Sequence, residues 1–203
     1  MNKLDYITID FETANTYKYS AISVGLVRFI DGKETESLSR LIKPPVMYFI
    51  PEWTNEIHHL TADDVKDSPL FPEVWNNDVM PFINKTPGIP LAAHNGNYFD
   101  MNIIRGCCDY YNMKYPYVEY IDTLLIAKAT WPDFPSHKLT ELGKHFGITY
   151  LAHDALEDSR TCGIVVELAA KKWGVNSVKD LLKACKLEKG FFYKKEEQGL
   201  FDF

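Results

Sequence analysis

Residues 4 to 12, Leu-Asp-Tyr-Ile-Thr-Ile-Asp-Phe-Glu, constrain the fold more than any other stretch of the chain. Tyr6, Thr8, Asp10 and Glu12 alternate with Ile7, Ile9 and Phe11, the period of two that a β-strand imposes. Read as the first strand of a sheet, the segment ends with Asp10 and Glu12 on one face, roughly 7 Å apart. Carboxylates so placed repel each other and lose hydration unless a cation lies between them. A divalent metal is the obvious occupant, because hard cations take oxygen ligands. A strand running out into a loop with two solvated acids fits this stretch equally well, so the decision falls to the rest of the chain.

The chain has 203 residues, 46% hydrophobic and 25% charged, the size and balance of one globular domain with a well-covered core. No stretch approaches the roughly 18 apolar residues of a membrane-spanning helix, and the first five residues lack the apolar run of a signal peptide, so a cytoplasmic setting is expected. Cys107, Cys108, Cys162 and Cys185 show no C-x-x-C spacing and fall in apolar helical patterns; buried, reduced thiols are expected. The net charge of -6 argues against a protein that holds long duplex DNA by neutralising many phosphates. It leaves room for an enzyme that grips a few nucleotides at a chain end, where metal ions supply the positive charge.

Ala21 to Ile30 and Thr35 to Ile42 read as strands joined by the two-residue hairpin signal Asp31-Gly32. Thr61 caps a short helix that carries Asp63 and Asp64 in its first turn. Phe71 to Ile83 has apolar residues at helical spacing, and Trp53 and Trp75 are assigned to packing. Ile89 to Ala93 suits a buried strand, followed by a helix from about Tyr98 to Tyr111. On that helix Asp100 shares the stripe of Ile103, Ile104, Cys107 and Tyr111, which aims a carboxylate at the core. A cap would not need that place, so a ligand role is favoured. Val118 to Ile121 is a further strand, and Asp122 caps a helix running to Thr130. Lys138 to Phe146 is amphipathic.

His153-Asp-Ala-Leu-Glu-Asp158 is the second informative stretch. Asp154 with Glu157 three residues on forms a capping-box pattern, which starts a helix at about Ala155 and leaves His153 just outside it. Asp158 falls on the stripe of Ala155, Cys162, Val165 and Ala169, a third inward-facing aspartate. Four acids and one histidine on a strand and two separated helices suit a two-metal phosphodiesterase, in which ions roughly 4 Å apart activate water and stabilise the leaving oxygen. Histidine would supply a base near neutral pH.

Asp10-Phe-Glu12-Thr13, Asn95-Gly-Asn-Tyr-Phe99-Asp100 and His153-x-x-x-x-Asp158 resemble the three motifs of the DEDDh, or DnaQ-like, 3′-5′ exonuclease family, related to the proofreading epsilon subunit of bacterial DNA polymerase III. The resemblance runs from residue 4 to about 173 and includes Ile57 to Asp64 and Ile121-Asp-Thr-Leu124. It implies a ribonuclease H-like α/β fold with a five-stranded mixed sheet flanked by helices. It also implies release of 5′-mononucleotides from DNA 3′ ends, single-stranded or frayed, in repair or proofreading; the same chemistry on RNA or short oligonucleotides, or a non-catalytic accessory role, are the alternatives. Carried onto this chain, Asp10, Glu12, Asp100 and Asp158 would be ligands of two Mg²⁺ or Mn²⁺ ions, and His153 the base. Thr13 and Asn95 would lie by the terminal nucleotide. Three residues separate Asn95 from Phe99 where many bacterial members have two. Tyr17, Tyr19, Tyr98 and Trp131 are candidates for base stacking.

The resemblance places the exonuclease domain at residues 1–174. Beyond it Ser177 opens a last amphipathic helix that Gly190 is expected to stop. Gln198-Gly-Leu-Phe-Asp-Phe203 resembles the short motif by which bacterial replication and repair proteins dock on the sliding clamp; folding of these aromatics back onto the domain is the alternative.

Overall fold

A computed structural model describes residues 3–192 of the chain. Gln198 to Phe203, read above as a clamp-docking motif, lie outside the described residues.

The first half of the fold is an antiparallel unit of β1 (Tyr6–Thr13), β2 (Ala21–Ile30) and β3 (Lys33–Leu41). Asp31 and Gly32 join β2 to β3 with φ of 50° and 74°, the paired positive values of the hairpin turn the sequence announces. β4 (Leu91–Ala93) then runs parallel to β1, and β5 (Glu119–Asp122) parallel to β4. Among the described residues the sheet has six strands rather than five, in the order β3-β2-β1-β4-β5-β6, the last being Gly190–Phe191.

The sixth strand corrects the expectation for Gly190. The last helix, α9 (Val178–Cys185), ends earlier, where Lys186 turns left-handed and the Leu187 amide bonds back to Leu182 at 2.9 Å. Gly190 instead opens β6 (Gly190–Phe191), antiparallel to β5. A β-carbon there would lie 2.3 Å from the Tyr120 ring, so the glycine lets β6 close over that ring.

Between β3 and β4 lie α1 (Pro51–Glu56), α2 (Ala62–Val65), α3 (Phe71–Val74), a π-helical turn Trp75–Val79 and α4 (Met80–Asn84). Thr61 and Asp64 complete the expected capping box on α2. α5 is Asp100–Tyr110, α6 Thr123–Thr130 and α7 Leu139–Phe146. α5 therefore starts with its apolar stripe, two residues after the expected Tyr98, with Tyr98 and Phe99 in the preceding turn.

The longest helix, α8 (Ala155–Trp173), lies on β1 and β2. Two glycines permit this: a β-carbon at Gly25 would stand 2.2 Å from the Ala155 carbonyl oxygen, and one at Gly163 2.1 Å from the Phe29 ring. Hydrogen bonds fix the contact, with Ser159 Oγ donating to the Gly25 carbonyl at 2.7 Å and Tyr6 Oη to the Gly163 carbonyl at 2.9 Å. On this face of the sheet Tyr6 and Phe29, with ring centroids 4.9 Å apart, are buried, as are Val165 and Val166 of the helix. All four cysteines are buried free thiols, as expected. No described helix is long and apolar enough to cross a membrane.

Candidate active site

Parallel strands β1, β4 and β5 end on the same side of the sheet, and the sequence motifs follow those ends. On β1, Asp10 pairs with Gly25 of β2. Because Gly25 admits the first turn of α8, the same glycine brings Asp158 down to the end of β1. Asp154 caps that helix, accepting from the Leu156 and Glu157 amides, each at 3.0 Å. Glu157 does not return the bond that a full capping box requires; its carboxylate pairs with Arg160. His153 lies outside the helix, as its spacing demands, at a left-handed φ of 66°. In that conformation its backbone N–H donates to Asp158 Oδ2 at 2.7 Å.

The third acid arrives from β4. Asn95 follows the strand with φ of 62°, and the turn it opens delivers Asp100 to the start of α5. Asp100 is fully buried: the Phe11 amide donates to its Oδ1 at 3.1 Å, while Oδ2 is buried with no hydrogen-bond partner. The turn is braced by Asp122, which the sequence marks only as a helix cap. Its Oδ1 accepts from the Leu124 amide at 2.9 Å, and its Oδ2 accepts from the Asn97 amide at 3.0 Å.

Asp10, Glu12, Thr13, Asn95, His153 and Asp158 line one cleft of about 610 Å³. Glu12, His153 and Asp158 each offer a ligand atom within 4.8 Å of the others. Asp100, bonded to the Phe11 amide, is not among the residues lining this cleft and acts on Asp10 through its charge. Trp53, assigned to packing from the sequence, is half-buried and lines the cleft with Ile57 and His58; packing holds for Trp75, which is buried against Phe71. Sequence gave no sign that the short α1 would be folded over the site. Of the candidate stacking residues, Trp131 is core, stacked on Phe134 at 5.8 Å, and Tyr17 stacks on Tyr19 at 5.3 Å.

The far side of the cleft is held by a chain of hydrogen bonds. His94 Nδ1 meets Thr123 Oγ1 at 3.0 Å and its Nε2 meets the His137 carbonyl at 2.8 Å. His137 Nε2 in turn reaches the Trp131 carbonyl at 2.8 Å, so the loop from 131 to 138 is tied to β4 and α6.

Gathering these acids is costly. Burial first, then the charges of Asp158, Asp100 and Asp154, push Glu12 up to about 8. Burial also raises Asp100 to about 8, against the opposing hydrogen bond from Phe11. Asp10 stands well above the ordinary carboxylate range, from burial and then from Asp100, Asp158, Glu12 and Asp154. Burial raises Asp158 as well, with the His153 amide pulling it back. Hard divalent cations resolve such a conflict, and the donor set fits them: oxygen ligands on three elements, one buried oxygen without a partner, and an imidazole at the edge.

The family model described as Exonuclease (RNase_T) matches residues 7–166, which span every one of these groups. The chain belongs to this exonuclease family. It is 28% identical over 173 residues to a DNA polymerase III PolC-type of Clostridium perfringens, covering 83% of this chain and 11% of the polymerase. It is 27% identical over 176 residues to a 3′-5′ exonuclease DinG of Staphylococcus aureus, covering 85% of this chain and 19% of that protein. The chain thus spans a small part of the length of these relatives. Among solved structures, the nuclease domain of 3′hExo, a DEDDh family member bound to rAMP, superposes with a TM-score of 0.72 at 17% identity, covering 93% of this chain and 96% of that one. The DEDDh resemblance read from the three motifs, and the ribonuclease H-like fold it implied, both hold.

Proposed function

We propose that this chain is a metal-dependent 3′-5′ exonuclease that removes 5′-mononucleotides from DNA 3′ ends, in repair or proofreading. The observation that carries the reading is the convergence of Asp10, Glu12 and Asp158 with His153 on one cleft, backed by the partnerless oxygen of Asp100. Asp10, Glu12, Asp100 and Asp158 would hold two divalent ions, Mg²⁺ or Mn²⁺. Such ions, when bound, polarise the phosphate, acidify water and stabilise the departing oxygen.

The chain's own residues supply the rest. His153 is exposed at the cleft and is set by the bond from its amide to Asp158, so its imidazole can take the proton of an attacking water. Thr13 and Asn95, flanking the acids, would contact the terminal nucleotide. Residues 1–174 would form the exonuclease domain and 175–203 an appended helix and tail, with Gln198 to Phe203 docking on a sliding clamp.

DNA is favoured because one relative is a DNA polymerase; the rAMP in the 3′hExo structure makes RNA the second reading. A purely structural accessory role would leave no reason to hold four carboxylates together at an electrostatic cost. A time course on 5′-labelled single-stranded DNA, matched and mismatched duplex and RNA, with Mg²⁺ or Mn²⁺, tests the proposal. Stepwise shortening from the 3′ end, lost in EDTA and in Asp10→Ala and His153→Ala, is expected, and the fastest ladder names the substrate. No shortening of any strand with either metal overturns it.

A further inference from the structure

The cleft has two walls of opposite charge. Facing the acids, Lys128 near the end of α6 and Lys138 just before α7 line the same cavity as Asp10, Glu12 and Asp158. Both are exposed, and like most of the described lysines neither forms an ion pair with a described residue. What distinguishes Lys128 and Lys138 is their place, in one cavity with Asp10, Glu12 and Asp158. They do not bridge to the carboxylates opposite.

The backbone under them is fixed. His94 Nε2 ties the loop before Lys138 through the His137 carbonyl at 2.8 Å, and Thr123 of Lys128's own helix meets the other ring nitrogen, Nδ1, at 3.0 Å. Leu139 and Thr140 line the same wall, and no side chain caps the amide end of α7. A positive wall, preset and facing a metal-ligating wall, suits an extended anion lying along the cleft.

We propose that Lys128 and Lys138 hold the phosphodiester one step 5′ of the bond that is cut, so that the substrate class is a strand bearing a phosphate upstream of its penultimate nucleotide. This rests on the exonuclease reading. Lysine suits the task, since an ammonium grips phosphate as a point charge without demanding one orientation, and the strand must advance after each cut.

Two experiments decide it. The first compares thymidine dinucleotide with and without a 5′-phosphate as substrates, because only the phosphorylated form carries the upstream charge. Wild type is expected to prefer the phosphorylated form about tenfold in kcat/KM; Lys128→Ala/Lys138→Ala should lose the preference and Lys128→Arg/Lys138→Arg should keep it. The second measures anisotropy of a fluorescent oligothymidylate in Ca²⁺ against salt. The double alanine variant should lose about 0.7 from the log-log slope, the share of one phosphate on a single strand. A preference absent from wild type, or one that survives with an unchanged slope in the alanine variant, overturns the inference. If wild type cleaves no oligonucleotide, the exonuclease reading is what fails, and the salt slope still settles the role of the lysines.

Discussion

The two walls of the cleft are built in opposite ways. On the acid wall the backbone reaches the side chains themselves: the Phe11 amide holds Asp100 and the His153 amide holds Asp158. On the lysine wall no hydrogen bond from a described residue touches the charged groups; the fold fixes the loop beneath them, through His94 and His137. Like charges pushed together in a poorly solvated place need partners, and two of the four acids find one in the backbone. Solvated cations need only a fixed root, because water satisfies the rest.

The largest test of this contrast removes an acid. Asp10→Asn or Asp158→Asn should lower the exonuclease rate by roughly a thousandfold or more, since several kcal/mol of transition-state stabilisation pass through the ligated ions. The same variants, free of metal, should melt at a higher temperature than wild type, because a repelling charge is gone. Retained activity, or a lower metal-free Tm at pH 8, would break the account of the acid wall.

Next comes the seam that carries it. Gly25→Ala sets a methyl group 2.2 Å from the Ala155 carbonyl, backbone against backbone. About 3 kcal/mol or more of stability should be lost in urea unfolding, with Asp158 drawn away from β1. A change under 1 kcal/mol would show that α8 can lift without consequence.

The pH dependence follows from the raised carboxyls. Glu12 and Asp100 titrate at about 8 in the folded chain, against about 4 in an unfolded one. The folded state therefore binds more protons over that interval, and its stability is full below pH 4 and falls as pH rises through 8. Metal-free protein should lose Tm steadily between pH 5 and pH 8.5, and Glu12→Gln should flatten the curve. Saturating Mn²⁺ should stabilise more at pH 8 than at pH 5.5. A metal-free Tm that climbs with pH would contradict the sign.

The smallest effect belongs to the other wall. His94→Ala removes two hydrogen bonds and should cost about 1–3 kcal/mol. Hydrogen exchange should quicken in residues 131 to 138 while metal affinity at the acids changes little. Equal exchange in that loop would show that His94 does not brace it.

Much of this was legible in the chain because it is local. The alternation of Tyr6 to Glu12, the Asp31-Gly32 turn, the cap at Asp154 and the stripes that carry Asp100 and Asp158 each declare themselves within a few residues. What stayed hidden depends on contacts far apart in sequence. Gly25 passes unmarked within the strand Ala21 to Ile30 until Ala155 is seen above it. Trp53 reads as core until α1 is folded over the cleft, and nothing local singles out Lys128 or Lys138, which take their meaning from lining the cavity with the acids. Gly190 signals a helix stop, yet the ring of Tyr120 gives it a place in the sheet.

Asn95 and His153 share a property beyond chemistry: both adopt left-handed backbone, with φ of 62° and 66°. A side chain in that region costs roughly 1 kcal/mol or more that glycine would not incur. Asp31, His59, Asn112 and Lys186 share that backbone without lining the cleft, so strain alone marks no site; Asn95 and His153 combine it with a place beside the acids. Among chains of this fold, glycine at these two places would mark a site whose chemistry has been given up, readable from sequence before any assay.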